Sequence, residues 1–167
     1  PRSAVAASRL SRYLIRLRDY PSARVTAERA YALGQDVSNL HELIMVSLAE
    51  GDLARARSYL AEGDDRFGRP TTLPYVANYY DTYWLLDSAD RQVLTTLGPE
   101  RFGGERAVWA MVQTQVHHLM GHGPLARAYA DSARMAYEQQ LRGTPNDPQA
   151  NVLYGLALAY LGRGDDA

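Results

Sequence analysis

Apolar residues recur every three or four positions along most of the chain, which is the spacing of one face of an α-helix. In the first segment, for example, Val5, Leu10, Leu14 and Leu17 follow this spacing. No segment alternates apolar and polar residues as a half-buried strand would. The pattern therefore predicts an all-α fold of about nine helices. The predicted helices cover residues 4–17, 21–33, 37–50, 53–62, 74–87, 89–97, 105–121, 124–141 and 149–161.

Turn-forming residues separate these segments. Gly34 and Gly63 are expected to end the second and fourth helices, because glycine favours the position just after a helix. Asp36 or Ser38 is expected to cap the third helix. The polar stretch 64–73 contains Gly and Pro and is predicted to be a loop.

A short turn motif occurs four times along the chain. It reads RDYPSA at 18–23, GDLARA at 51–56, GPLARA at 123–128 and GDDA at 164–167. Successive copies begin 33, 72 and 41 residues apart, and the middle spacing equals two periods of 36. This spacing indicates a helical repeat of about 34 residues.

The repeat resembles the tetratricopeptide repeat, a helix-turn-helix unit. The residues that carry the resemblance are small or bulky apolar residues and turn glycines: Tyr20, Ala23, Ala27, Ala30, Leu43, Gly51, Ala56, Leu60, Gly123, Ala128, Ser132, Leu156, Ala157, Tyr160, Gly164 and Ala167. The resemblance is weaker over 74–97. Residues 131–167 also resemble the tetratricopeptide regions of some bacterial Ser/Thr kinases, cyclases and winged-helix regulators.

The resemblance implies a right-handed superhelix of stacked helix pairs. Residues 1–167 would form a single solenoid with units near 3–34, 37–63, 74–97 and 105–142 and a truncated unit at 149–167. Because the sequence starts without Met and stops within a repeat, we expect it to be a piece of a longer protein. The last helix would then expose an apolar face, which is expected to pack against another copy in a homodimer or against the continuation of the chain.

In tetratricopeptide proteins the first helix of each pair lines a concave groove that holds a peptide. Carried over by position, the expected partner-binding residues are Ser38, His41, Glu42, Met45, Tyr79, Tyr80, Tyr83, Gln113, Thr114, His117, Asn151, Tyr154 and Leu158. These side chains are polar or aromatic and almost uncharged, so we expect no cluster of basic residues that grips a carboxylate. Each Tyr could equally be a packing residue between helices.

Composition narrows the class of partner. The net charge is -1, and the 18 basic residues, all Arg, are scattered, which argues against nucleic acid. There is no Cys and no apolar run of about 18 residues, so neither a thiol nucleophile nor a membrane span is expected. The location is left open, with the cytoplasm slightly favoured.

Three functional hypotheses follow. The first is a scaffold that binds a protein or peptide, without catalysis and without a cofactor. The second is a regulatory or sensor module of a larger bacterial signalling enzyme or transcription regulator. The third is a metal-dependent enzyme built on His117, His118 and His122, of which His118 and His122 would share a helix face. The third hypothesis lacks the HExxH motif and a further ligand, and no metal site is predicted.

Overall fold

A computed structural model describes residues 2–79 and 82–166. Within these ranges the chain forms nine α-helices and three short 3-10 turns, and it contains no strand. The helices are α1 (Ala4–Arg16), α2 (Tyr20–Leu33), α3 (Val37–Ala49), α4 (Leu53–Phe67), α5 (Arg69–Ala77), α6 (Ser88–Thr95), α7 (Arg106–Leu119), α8 (Gly123–Gly143) and α9 (Pro148–Tyr160). The 3-10 turns cover Tyr83–Leu85, Pro99–Phe102 and Gly164–Asp166. The all-α class and the number of helices are therefore confirmed.

The chain divides into two compact units, Pro1–Leu86 and Asp87–Ala167. The first unit contains α1 to α5, and the second contains α6 to α9. Within each unit, helices that follow one another in the chain pack as neighbours, as the predicted helix pairs require. No described helix has both the length and the apolar character needed to cross a bilayer.

Four turns at the ends of helices share one backbone geometry. Each contains a residue with positive φ: Arg18 (60°), Gly51 (77°), Gly121 (76°) and Gly162 (76°). The N–H of the next residue then donates to the carbonyl five positions earlier, in the pairs Asp19–Leu14, Asp52–Ser47, His122–His117 and Arg163–Leu158, at 2.8 to 2.9 Å. This is the Schellman geometry, which satisfies carbonyls left free at a helix end. The turns after α1, α3, α7 and α9 are thus structural repeats.

The backbone of these turns corrects the alignment of the repeat motif that the sequence suggested at 123–128. Gly121, and not Gly123, takes the left-handed conformation, and Gly123 already begins α8. Consequently Ala126 is buried where the sequence motif placed Ala128, which is exposed. The motif was misaligned by two residues because two glycines stand close together in this turn.

A buried stripe made mostly of small residues, on α2, α4 and α8, allows close packing between helices. The stripe occupies positions i, i+4 and i+7, and its members are Ala23, Ala27 and Ala30 on α2, Ala56, Leu60 and Gly63 on α4, and Ala126, Ala130 and Ala133 on α8. All of them are buried. In the first pair the buried Ser11 hydroxyl of α1 donates directly to the Ala23 carbonyl at 3.1 Å. The two helices therefore approach closely enough for a short side chain to reach the other backbone.

The predicted end of the fourth helix at Gly63 and the predicted loop at 64–73 are wrong. Helix α4 continues to Phe67 and ends at Gly68, which has a φ of 81°. A Cβ at Gly63 would lie 2.7 Å from Thr72 Cγ2 and 2.8 Å from Leu40 Cδ2. Glycine is therefore present at this position so that α3 and α5 can both pack against α4, and not to end a helix.

The predicted helix over 74–87 is also wrong. Helix α5 starts earlier and ends at Ala77. After it, the Thr82 hydroxyl lies 2.7 Å from the carbonyl of Val76 and 3.0 Å from that of Tyr79, and it can donate to either. The turned backbone is stabilised by this side chain, since such local bonds compete with helix formation.

Aspartate side chains cap the first turn of most of the described helices. The capping residues whose side chains accept an N–H of the first turn are Asp19, Asp36, Asp52, Asp87 and Asp147. Of the two candidates for α3, Asp36 is the cap, and it accepts from Asn39 N at 2.8 Å. The other candidate cap, Ser38, lies inside α3.

The packing at Gly63 can be tested by Gly63→Ala. Although Ala is intrinsically about 1 kcal/mol better than Gly within a helix, we expect a net loss of about 1–2 kcal/mol in unfolding free energy, because the new methyl group overlaps Thr72 and Leu40. Urea unfolding measures this. Gly143→Ala on α8 is the control, since its Cβ would meet nothing within 4 Å. Equal stabilities of the two variants would contradict the packing role of Gly63.

Candidate functional site

A cavity of about 360 Å³, open to solvent, lies within the Pro1–Leu86 unit. Residues of α1, of α3 and of the bend that follows α5 form its wall. The lining residues are Arg12, Ile15, Arg16, His41, Glu42, Met45 and Tyr79. Residues of α1, of α3 and of the bend after α5 thus contribute to one solvent-open surface.

An ion pair between α1 and α3 fixes one side of the cavity. Arg12 Nε donates to Glu42 Oε1 at 2.6 Å, and Arg12 Nη2 contacts the same oxygen. The Glu42 side chain is only 1% exposed, whereas that of Arg12 is 47% exposed. The hydrogen bond to Glu42 raises the pKa of Arg12. The second carboxylate oxygen, Oε2, is buried without a hydrogen-bond partner in the described part of the chain, so Arg12 supplies the main compensation for this buried charge.

His41 lies next to Glu42 and is 2% exposed. Its ring stacks on Tyr79 with a centroid distance of 4.1 Å and meets the edge of Tyr75 at 5.6 Å. Neither ring nitrogen has a hydrogen-bond partner among the residues described. Burial, with a smaller contribution from the positive charge of Arg12, lowers the pKa of His41 to about 3. His41 is therefore neutral near pH 7.

Of the two tyrosines, Tyr79 lines the cavity and Tyr75 packs behind it, with ring centroids 5.4 Å apart. Their hydroxyl oxygens lie 3.2 Å apart, within hydrogen-bond distance. Burial, and then the hydrogen bond with Tyr75, raises the pKa of Tyr79 to about 12. Tyr79 is therefore also uncharged near neutrality, and the charges of the cavity lining belong to Arg12, Arg16 and Glu42.

Four of the residues expected from the sequence meet in this cavity: His41, Glu42, Met45 and Tyr79. Sequence reasoning missed the contribution of α1, namely Arg12, Ile15 and Arg16. Their spacing of i, i+3 and i+4 places them on one helix face, and this was the available signal. With these side chains the surface is more charged than expected, and both of its arginines come from α1.

The other residues expected in this unit lie outside the cavity lining. Ser38 is half-buried on α3, one turn before His41. Tyr83 is half-buried in the 3-10 turn at Tyr83–Leu85. Tyr80 lies outside the residues that the structure describes.

The remaining expected residues belong to the Asp87–Ala167 unit. Gln113 and Thr114 are buried on α7, where Gln113 Nε2 donates to the Leu94 carbonyl at 2.9 Å. Leu158 is buried on α9, and Tyr154 is half-buried on the same helix. The exposed Asn151, also on α9, donates its side-chain N–H groups to the carbonyls at positions 145 and 147. Most of these side chains are therefore engaged in packing or capping.

The histidine cluster differs from the expected pairing of His118 with His122. Instead, His117 Nδ1 and His122 Nδ1 lie 3.2 Å apart, because the turn at Gly121 brings His122 back over the end of α7. Burial and the neighbouring His122 lower the pKa of His117, which stacks on Tyr129. His118 packs separately. In the described chain no three His, Cys, Asp or Glu residues are grouped to hold a metal ion.

Only part of the apolar face expected on the last helix is exposed. On α9, Val152 is 70% exposed, whereas Leu153 and Leu158 are buried. Self-association through this helix stays a prediction.

Comparison of the chain with models of protein families, with curated proteins and with solved structures finds no match. The chemistry of the cavity is therefore the main indication of function.

Removing the cation of the buried ion pair should destabilise the protein. We expect Arg12→Ala to lower the unfolding free energy by about 1–3 kcal/mol, because Glu42 would keep a buried charge without its partner; the effect is reduced from that of a fully buried pair because Arg12 is half-exposed. Urea unfolding at pH 7 checks this. Arg9→Ala, on an exposed position of the same helix, should change stability by no more than about 0.5 kcal/mol. A loss of the same size in both variants would contradict the role of the ion pair.

Burial of neutral His41 should make stability depend on pH. Its pKa is about 3 in the folded state against 6.5 for the ordinary group, so the unfolded chain binds the extra proton first. The stability contributed by neutral His41 is present above pH 6.5 and falls by about 1.4 kcal/mol per pH unit below it. We therefore expect His41→Phe to reduce the difference in unfolding free energy between pH 6.5 and pH 5 by about 2 kcal/mol.

Denaturant unfolding at several pH values provides the measurement. His118→Phe is the control, since it makes the same substitution at an exposed histidine. If wild-type protein and His41→Phe show the same slope, His41 is not buried in its neutral form.

Proposed function

We propose that this chain is a protein-interaction module that binds a peptide or a segment of a partner protein in the cavity of the Pro1–Leu86 unit. The observation that carries the proposal is that α1, α3 and the bend after α5 line a single solvent-open cavity. Its volume of about 360 Å³ falls within the ~300–1,000 Å³ typical of ligand sites.

The side chains around the cavity suit contact with a peptide. Ile15 and Met45 are half-buried apolar residues, and Tyr79 adds a half-buried aromatic ring. Met adapts its shape to different apolar groups, and Tyr offers a large contact area with a polar end. An apolar side chain of a partner would lose water contact between these three residues, which supplies the binding free energy.

The titratable groups favour binding over catalysis. A general acid or base that operates near neutral pH works best with a pKa near that pH. Two of the titratable side chains in the cavity are shifted away from neutrality, with a pKa of about 3 for His41 and about 12 for Tyr79. Their environment thus makes them poor at transferring protons and leaves them as rigid aromatic walls.

Selection from a random peptide library displayed on phage tests the proposal. Wild-type protein should enrich specific peptides, and these should bind Met45→Arg at least about tenfold more weakly, a difference of about 1.4 kcal/mol. The physical reason is that the new guanidinium occupies the apolar part of the cavity.

Met135→Arg is the matched control, because Met135 is exposed on α8 in the other unit. It should bind the selected peptides as wild-type protein does. The proposal fails if no peptide is enriched, or if the enriched peptides bind Met45→Arg with unchanged affinity.

A further inference from the structure

The charges around the cavity are distributed unevenly between its interior and its mouth. The single carboxylate, that of Glu42, is almost completely buried and paired with Arg12. The two guanidinium groups belong to residues on exposed positions of α1. A ligand that approaches from solvent therefore meets positive charge first, although the 167-residue chain carries a net charge of -1.

Arg12 is held in place with donors to spare. A guanidinium group has five N–H donors, and the contacts of Arg12 with Glu42 involve Nε and Nη2 and a single carboxylate oxygen. The side chain remains 47% exposed. Because Glu42 fixes the group, less conformational entropy is lost when its outer N–H donors bind an anion.

Arg16 lies about one helical turn after Arg12, which is about 6 Å further along the axis of α1. It makes no ion pair with any residue that the structure describes, and its guanidinium lies 6.0 Å from the Tyr13 ring centroid. Ile15, between the two arginines in sequence, lines the same cavity. Charged and apolar contacts are thus available within one turn of α1.

We infer that the cavity recognises an acidic side chain, Asp or Glu, next to a bulky apolar side chain in an internal segment of a partner protein. The apolar group would pack between Ile15, Met45 and Tyr79, and the carboxylate would bind Arg16 and the outward N–H groups of Arg12. This inference rests on the proposed function and specifies its ligand.

The composition favours an acidic peptide over a polyanion. A nucleic-acid site requires a broad basic surface, whereas this chain is slightly acidic overall and presents two arginines beside three apolar or aromatic side chains. Two guanidinium groups suit one carboxylate, because Arg–carboxylate hydrogen bonds are charge-assisted. The small number of charges fits a short linear motif.

Sequencing of the peptide pool selected by the protein tests the inference. The library is displayed with its carboxyl end fused to the phage coat, so that no free C-terminal carboxylate is present. We expect Asp and Glu to be enriched at least threefold within two residues of Leu, Ile, Met, Phe or Trp, relative to the unselected library. Replacing that acidic residue by the matching amide in an enriched synthetic peptide should weaken binding about tenfold in fluorescence anisotropy.

Charge reversal on α1 provides the sharper comparison. Arg16→Glu should shift the selected pool from Asp and Glu to Lys and Arg at the same positions. Arg9→Glu makes the same change on the same helix at an exposed position outside the cavity lining, and it should leave the acidic preference intact. Circular dichroism and thermal unfolding verify that both variants fold.

Two results separate failure of this inference from failure of the proposed function. Peptides that lose binding in Met45→Arg but show no acidic preference would overturn the inference and leave the binding module in place. An acidic preference that survives Arg16→Glu unchanged would also overturn the inference. Absence of any enriched peptide would overturn both.

Discussion

Close approach between neighbouring helices is the constraint on which the first unit depends. The stripe of small residues on α2 lets the Ser11 hydroxyl of α1 reach the Ala23 carbonyl, and Gly63 on α4 lets Leu40 and Thr72 pack against its backbone. Side chains with more volume at these places would force the helices apart, because interiors are packed to the density of organic crystals. Both α1 and α3, which line the cavity, pack against α2.

The buried carboxylate of Glu42 is a consequence of that packing. Its position on α3 faces α1, so the charge can be tolerated only where Arg12 reaches it across the helix interface. A buried ion pair of this kind contributes little net stability compared with an apolar pair of the same volume. Its effect is geometric, since it specifies how α1 lies against α3 and orients a guanidinium at the mouth of the cavity.

Patterns among residues close in sequence predicted much of the fold. Contacts between residues far apart in sequence account for most of the differences between the predicted and the observed fold. The helices and the cap at Asp36 follow from short-range patterns that depend on nearby residues only. Gly63 was wrongly predicted to end a helix because glycine serves both as a helix terminator and as a place of close contact. Only its neighbours Leu40 and Thr72 show that it has the second role. His41 and Glu42 were expected as binding residues from the resemblance to the tetratricopeptide repeat. The contact of Glu42 with Arg12, 30 residues away, has no counterpart in any local pattern.

Two side chains that line the cavity, His41 and Tyr79, stay uncharged across the physiological pH range. His41 takes up a proton only near pH 3, and Tyr79 loses one only near pH 12. The hydrogen bond with Glu42 raises the already high pKa of Arg12. The positive character of the mouth is therefore set by the packing of α1 on α3 and not by the proton concentration, so a partner would be selected by the shape and charge of its own segment.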